Sequence, residues 1–196
     1  MIAYIDGKLT HKDPTFVIID VGGVGYQIKV SLNTYSALPG GERCRLHTFL
    51  HIKEDAHTLY GFNTVAEKEL FLLLISISGV GPNTGLMILS SLSVEEVQQA
   101  IVREDVRTIQ HVKGIGAKTA QRIILELKDK VKKDVMLSEV GAPAAAYNTN
   151  RAEALSALVT LGFAKNVAEK TLDSIIKREG GSLSVEELIK FALKSS

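Results

Sequence analysis

Two nine-residue runs carry the spacing in this chain that best fits chemistry. Ile77-Ser78-Gly79-Val80-Gly81-Pro82-Asn83-Thr84-Gly85 and Val112-Lys113-Gly114-Ile115-Gly116-Ala117-Lys118-Thr119-Ala120 repeat one pattern, offset by the 35 residues from Gly79 to Gly114. Each reads apolar, then Gly-apolar-Gly, then two residues and a Thr or its neighbour, and each opens a helical run: Leu86-Met87-Ile88-Leu89 after the first, Gln121-Arg122-Ile123-Ile124-Leu125 after the second. This is the helix-hairpin-helix pattern. Glycine reaches backbone conformations closed to other residues and lets another chain approach the backbone. The first turn of the following helix offers N–H donors and a positive dipole end, which suit a phosphate. Such a contact holds a nucleic-acid backbone without reading bases. The expected contact set is Gly79, Val80, Gly81, Asn83 and Thr84 in the first copy, and Lys113, Gly114, Ile115, Gly116, Lys118, Thr119 and Arg122 in the second.

The same residues admit other readings. A dinucleotide fingerprint needs a third glycine three positions after the second and a preceding strand; Gly85 comes four after Gly81, Ala120 stands in the second copy, and Ala66 to Ile75 reads as helix. A purely structural helix turn stays open for either copy. An enzyme of the helix-hairpin-helix glycosylase or nuclease type would nominate Lys118, and an adaptor acting mainly through its C-terminal module is a third alternative.

Composition limits the classes further. The 196 residues are 45% apolar, enough for two or three small domains and too apolar for global disorder. Leu70 to Ile77 is too short to span a bilayer, and Asp6 and Lys8 interrupt any N-terminal apolar leader, so a cytoplasmic location is expected. One cysteine, Cys44, excludes an internal disulfide and a cysteine zinc site, and the five histidines lack metal-site spacing. No cofactor is expected. The net charge of +1 is low for a nucleic-acid binder, so the cations must be sorted by face. Alternation from Arg43 to Lys53 puts Cys44, Leu46, Thr48, Leu50 and Ile52 on one side and Arg43, Arg45, His47, Phe49, His51 and Lys53 on the other, either a basic stripe or an ordinary solvated face.

Three segments must position these residues. Residues 1–62 read as β structure: Phe16 to Asp20, a Val21–Gly25 turn, Tyr26 to Val30, the strand from Arg43, and Thr58 to Phe62. Short strands of this kind predict an OB-type barrel. Residues 63–137 form an all-α unit with helices over Ala66–Ile75, Asn83–Ser91, Val94–Arg103, Val106–Gln110 and Lys118–Lys132, and Ser93 with Glu96 makes a capping box. Residues 138–149, rich in small residues, predict a flexible linker. From 150 to 196, helices over Arg151–Thr160, Ala164–Lys177 and Ser184–Leu193 predict a three-helix module similar to ubiquitin-associated domains, a fold used for docking. The expected class is therefore multidomain α+β.

In this order the parts resemble the RuvA family, the Holliday-junction-binding subunits of the bacterial branch-migration machine. The resemblance rests on Gly7-Lys8-Leu9, Gly22-Gly23-Val24-Gly25-Tyr26, the run Glu54-Asp55-Ala56-His57-Thr58-Leu59-Tyr60-Gly61-Phe62, both hairpins and the C-terminal module. It implies a non-catalytic homotetramer, with one or two tetramers per four-way DNA junction, acting in recombination and DNA repair. It implies the hexameric ATPase RuvB as partner, docked through Leu158, Leu161 and Phe163, and the resolvase RuvC in a larger complex. It also gives Glu54 and Asp55 the role of an acidic pin that repels phosphates at the crossover, with Lys53 a neighbouring positive contact. No Walker-type phosphate loop is seen, consistent with a chain that hydrolyses nothing. Asn83 departs from the pattern by leaving the first hairpin without a cation.

Overall fold

In the computed structural model, residues 1–139, 144–179 and 183–194 are described, and they divide into two compact units, Met1–Asp134 and Val135–Ser196. Five strands, β1 (Tyr4–Lys12), β2 (Phe16–Val21), β3 (Val24–Val30), β4 (Arg43–Ile52) and β5 (His57–Phe62), close into a barrel in the order β1-β2-β3-β5-β4, with only the β3–β5 pair parallel. That is the strand order of an OB-type barrel. The alternating sequence fills its interior with Ile5, Leu9, Val17, Ile19, Ile28, Val30 and Leu46. Gly22 and Gly23, at φ +62° and +94°, make the two-residue turn that a tight β2–β3 hairpin requires. Two elements were not expected from the sequence: β1 as a distinct strand, and α1 (Leu32–Ala37), a short helix capped by the Ser31 hydroxyl, which accepts from Thr34 N–H.

Helices α2 (Val65–Ile75), α3 (Pro82–Ser91), α4 (Val94–Val102), α5 (Val106–Gln110) and α6 (Ala117–Glu139) follow. The segments expected as separate domains, 1–62 and 63–137, pack as one unit. Their joint is polar and buried. The Glu67 carboxylate on α2 accepts the Ser31 and Thr34 hydroxyls, the latter at 2.6 Å, while Thr34 Oγ1 accepts Asn63 N–H at 3.0 Å. Glu67 is only 5% exposed and no cation pairs with it among the described residues, so these hydroxyls alone satisfy it. Around this joint Phe71 of α2 packs against Phe62, Tyr60 and Phe49 of the barrel. A directional network and an aromatic contact together hold the hairpin helices at a set angle to the barrel.

The expected linker is corrected in part: residues 138 and 139 close α6, and 144–149 begin α7 (Ala144–Thr160), while 140–143 lie outside the described residues. The alanines at 144–146 have the highest helix propensity of any residue, so a small-residue composition does not by itself separate linker from helix. With α8 (Lys165–Glu179) and α9 (Val185–Lys194), α7 forms the second unit around Ala154, Leu158, Ala168, Leu172, Ile175, Leu188 and Ala192.

Candidate nucleic-acid interface

The two hairpin turns share one construction. In the first, Ile77 and Val80 are buried, Val80 N–H donates to Ile77 O at 3.0 Å, and Gly79 takes φ +91°. In the second, Val112 and Ile115 are buried, Ile115 N–H donates to Val112 O at 3.1 Å, and Gly114 takes φ +87°. Each apolar pair thus pins the turn to the core while the glycine supplies the left-handed step between them. One expectation is corrected here. Val80 and Ile115 anchor the turns with their side chains and spend their N–H groups inside them, so neither is a donor to a ligand.

The open donors lie one step further on. Gly81 N-caps α3 without any side-chain cap, and Pro82 has no N–H, which leaves Asn83 and Thr84 as first-turn donors. In the second copy Ala120 N–H donates to Gly116 O, so Ala117, Lys118 and Thr119 are the corresponding first-turn residues of α6. Ala117 was absent from the expected set, although counting positions from Gly116 identifies it. The second hairpin therefore has one donor more than the first, because Ala117 stands where Pro82 stands. A Cβ built at Gly79, Gly81, Gly114 or Gly116 meets nothing within 4 Å. The protein itself does not need the missing side chains at Gly81 and Gly116 for room; the open space lies outside the turns, where a backbone could come close.

Side chains sharpen the asymmetry. Lys113 and Lys118 are exposed beside the second turn. Arg122 is differently employed: its Nη1 donates to Ser78 O at 3.0 Å and its Nε lies 3.6 Å from Glu126 Oε1. The guanidinium of the second hairpin's helix thereby holds the turn of the first, and its neighbour Glu126 offsets its charge. Asn83, exposed, sits at the mouth of a cleft of about 450 Å3 between barrel and α3, bordered by Phe16, Leu32 and Met87.

On the barrel the expected basic stripe breaks up. Asp6 on β1 stands opposite Arg45 in the β1–β4 register and binds Arg43 Nε at 2.6 Å and Arg45 Nε at 3.0 Å, and Arg45 also lies over the Tyr4 ring. These hydrogen bonds hold the Asp6 carboxyl below its usual range. His47, Phe49 and His51 are half-buried, and Phe49 meets Phe71 of α2 at 5.9 Å, so α2 covers the face that alternation assigned to solvent. Lys53 lies exposed beyond the strand, with no side-chain hydrogen bond or ion pair among the described residues. It opens the Lys53–Ala56 turn at the β4–β5 tip, closed by Lys53 N–H to Ala56 O at 2.9 Å. Glu54 and Asp55 form the crown of this turn, exposed, with no ion-pair partner among the described residues.

Comparison with known proteins bears on the same three parts. Residues 1–61 match the RuvA N terminal domain, 71–129 the SAM-like helix-hairpin-helix tandem, and 149–196 the RuvA C-terminal domain. A Holliday junction branch migration complex subunit RuvA from Cytophaga hutchinsonii is 61% identical over 199 residues, covering all of both chains. The chain belongs to the RuvA family. Similar subunits from Amoebophilus asiaticus, 50% identical over 197 residues, and Christiangramia forsetii, 52% identical over 194 residues, cover 99% or more of each chain compared.

The RuvA C-terminal domain match falls on the three-helix unit, where one expectation needs correcting. Leu158 is wholly buried in the core of α7, α8 and α9, so it cannot meet a partner without unfolding the module. Phe163 is half-buried against that core, and its N–H donates to Leu158 O at 3.0 Å. Leu161 is 60% exposed, and Val159 and Val167 are exposed on either side of the same α7–α8 turn. The sequence puts Leu158 near the end of a helix and Leu161 and Phe163 in the turn that follows it, and cannot say which of the three faces in. No helix among the described residues is long and apolar enough to cross a membrane, and no three His, Cys, Asp or Glu residues there are placed to hold a metal ion.

Proposed function

We propose that this chain binds four-way junction DNA through its backbone, holds the crossover open, and passes it to a RuvB-type hexameric ATPase for branch migration. The observation that carries this is the pair of hairpin turns, built alike around Gly79 and Gly114, each followed by uncapped N–H donors with open space before them. Contacts of that kind select phosphate position and ignore base sequence. The relatives of this RuvA-family chain are named as subunits of the Holliday junction branch migration complex, which supports the same partner DNA here.

Within this reading, Gly79, Gly81, Asn83 and Thr84 hold one stretch of backbone and Gly114, Gly116, Ala117, Lys118 and Thr119 another, with Lys113 and Lys53 adding charge. Arg122 keeps the two turns in register. Glu54 and Asp55 project from the barrel as an acidic pin; four copies in a homotetramer would concentrate negative charge where the strands exchange, and like charge there disfavours closure of the stacked junction. Leu161, with Val159, Val167 and the exposed edge of Phe163, is the docking surface for the motor. A RuvC-type resolvase would join in a larger complex.

Reconstitution tests the whole. A synthetic four-way junction is incubated with this chain, the RuvB ATPase, Mg2+ and ATP. The expected result is dissociation into two duplexes that requires both proteins. Dissociation by the motor unaffected by this chain, or cleavage of DNA by this chain alone, would contradict it.

A further inference from the structure

Four consecutive residues between β3 and β4, Ser31 to Thr34, each bond to a helix of the first hairpin. The Ser31 hydroxyl and the Thr34 hydroxyl, the latter at 2.6 Å, donate to the two oxygens of Glu67 on α2. Leu32 N–H donates to Ser90 Oγ on α3 at 3.1 Å, and the Asn33 amide donates to Leu89 O at 2.8 Å and to Leu92 O, at the C-cap of α3, at 3.0 Å. Helix α2 leads into the Gly79 turn and α3 leaves it, so one segment of the barrel clamps both arms of that hairpin.

The hydrogens of the clamp can be followed. Ser31 Oγ accepts Thr34 N–H and Thr34 Oγ1 accepts Asn63 N–H, each at 3.0 Å. A hydroxyl has one hydrogen, and in both residues it goes to Glu67, which must accept at both oxygens. A carboxylate does this; an amide would turn a donor toward one of the hydroxyls. Ser31 and Thr34 are wholly buried and Glu67 nearly so, and a buried network with every member satisfied is rigid and directional.

The place of the clamp gives that direction a use. Strand β5 runs from the Lys53–Ala56 turn at one end to Asn63, beside the clamp, at the other, and its six residues span about 20 Å. Over that length a tilt of about 10° at the clamp moves the Glu54–Asp55 crown by about 3.5 Å relative to the hairpin helices, one phosphate step along a DNA strand. Arg122 Nη1, donating to Ser78 O, carries the same orientation on to the second hairpin.

We propose that Ser31, Asn33, Thr34 and Glu67 are positioning residues for junction recognition. They fix the acidic pin relative to the phosphate donors of the hairpins, so that the pin lies in the open centre of a four-way junction when the donors hold its arms, and over backbone phosphate when they hold linear duplex. This rests on the DNA-binding function proposed above. A loosened clamp lets the pin draw back from duplex and drift from the junction centre while the donors stay intact, so discrimination falls and backbone gripping survives.

Dissociation constants of the full chain for a four-way junction and for duplex, at one salt concentration and beside thermal melts, test it. Thr34→Val keeps the shape of the side chain and removes its hydroxyl; Thr34→Ser keeps the hydroxyl. Asn33→Ala removes the exposed end of the clamp. Ile101→Val trims the buried face of α4, in the same unit but outside the clamp. Substitutions along a contiguous network that touch neither ligand change coupling roughly 2- to 30-fold, and the duplex-to-junction ratio should fall within that range in Thr34→Val and Asn33→Ala. Thr34→Ser should keep the wild-type ratio, and Ile101→Val should melt lower with the ratio unchanged. A wild-type ratio in Asn33→Ala or in folded Thr34→Val would overturn the proposal, and so would an equal fall in Ile101→Val, which would make discrimination follow stability. Absence of any junction preference in wild type would overturn the underlying function instead.

Discussion

Replacing Gly116 with alanine separates folding from binding. The added Cβ meets nothing within 4 Å, and the residue does not occupy the left-handed region. Restricting the unfolded chain stabilises by about 0.4–1 kcal/mol, while alanine is a poorer N-cap than glycine by an amount on the order of 0.5–1 kcal/mol. The two nearly cancel, and the melting temperature should move by no more than a few degrees. Gly114→Ala differs, because φ +87° costs an L-residue about 1–2 kcal/mol. At about 2–4 °C per kcal/mol for a domain of this size, that variant should melt several degrees lower. Binding reverses the order of surprise: at Gly116 a methyl group fills the space before the α6 donors and displaces a phosphate from one charge-assisted hydrogen bond. Such a bond is worth about 1.5–3 kcal/mol, so junction affinity should fall roughly ten- to hundredfold. Calorimetry and fluorescence anisotropy on the same samples decide the matter. A Gly116→Ala protein that melts like wild type and binds within threefold of it would show that no phosphate approaches this turn, and that the repeated motif is only a way to join helices.

Further outcomes follow from the same geometry. Lys118→Ala should reduce the salt slope of junction binding by about one unit, whereas Arg122→Ala, which removes the bond to Ser78 O, should weaken binding with the slope nearly unchanged; equal loss of slope in both would make Arg122 a phosphate contact. Glu54→Gln with Asp55→Asn should raise duplex affinity and lower the preference for junctions, measured as the ratio of the two dissociation constants at one salt concentration; two charges 4 Å apart repel by about 4 kcal/mol at an effective dielectric of 20 before salt screening. Leu158→Ala should destabilise the C-terminal module by about 2–5 kcal/mol, seen in its melting, while Leu161→Asp should leave melting unchanged and abolish stimulation of the motor.

Much of this was legible in the sequence because it depends on local pattern. The two glycine turns, the Ser93–Glu96 capping box, and the helices at 65–75, 94–102 and 106–110 follow from chemistry within a few residues, and the structure has them at or within a residue or two of the expected bounds. What sequence could not supply was contact across distance. The stripe from Arg43 to Lys53 looked basic because alternation is blind to Asp6 on the neighbouring strand and to α2 lying over Phe49. Arg122 reads from the sequence as a phosphate ligand, and only the structure adds that Ser78, 44 residues away, accepts from its guanidinium. Leu158 and Leu161 are three apart on one apolar run, and only the packing of α8 and α9 decides that the first is core and the second surface. The acidic turn is the opposite case: its place at a hairpin tip was implicit in the residues flanking it, but a meaning for two exposed carboxylates on a DNA-binding chain came from the family resemblance.

The central claim is that this chain recognises the architecture of DNA through its backbone. Its most direct test is competition at a single salt concentration between a labelled four-way junction and unlabelled competitors: the same junction with permuted arm sequences, and linear duplex of equal length. Permuted junctions should compete equally, duplex should compete far less well, and all binding should weaken steeply with added salt. Duplex competing as well as the junction, or one arm sequence strongly preferred over the others, would contradict it.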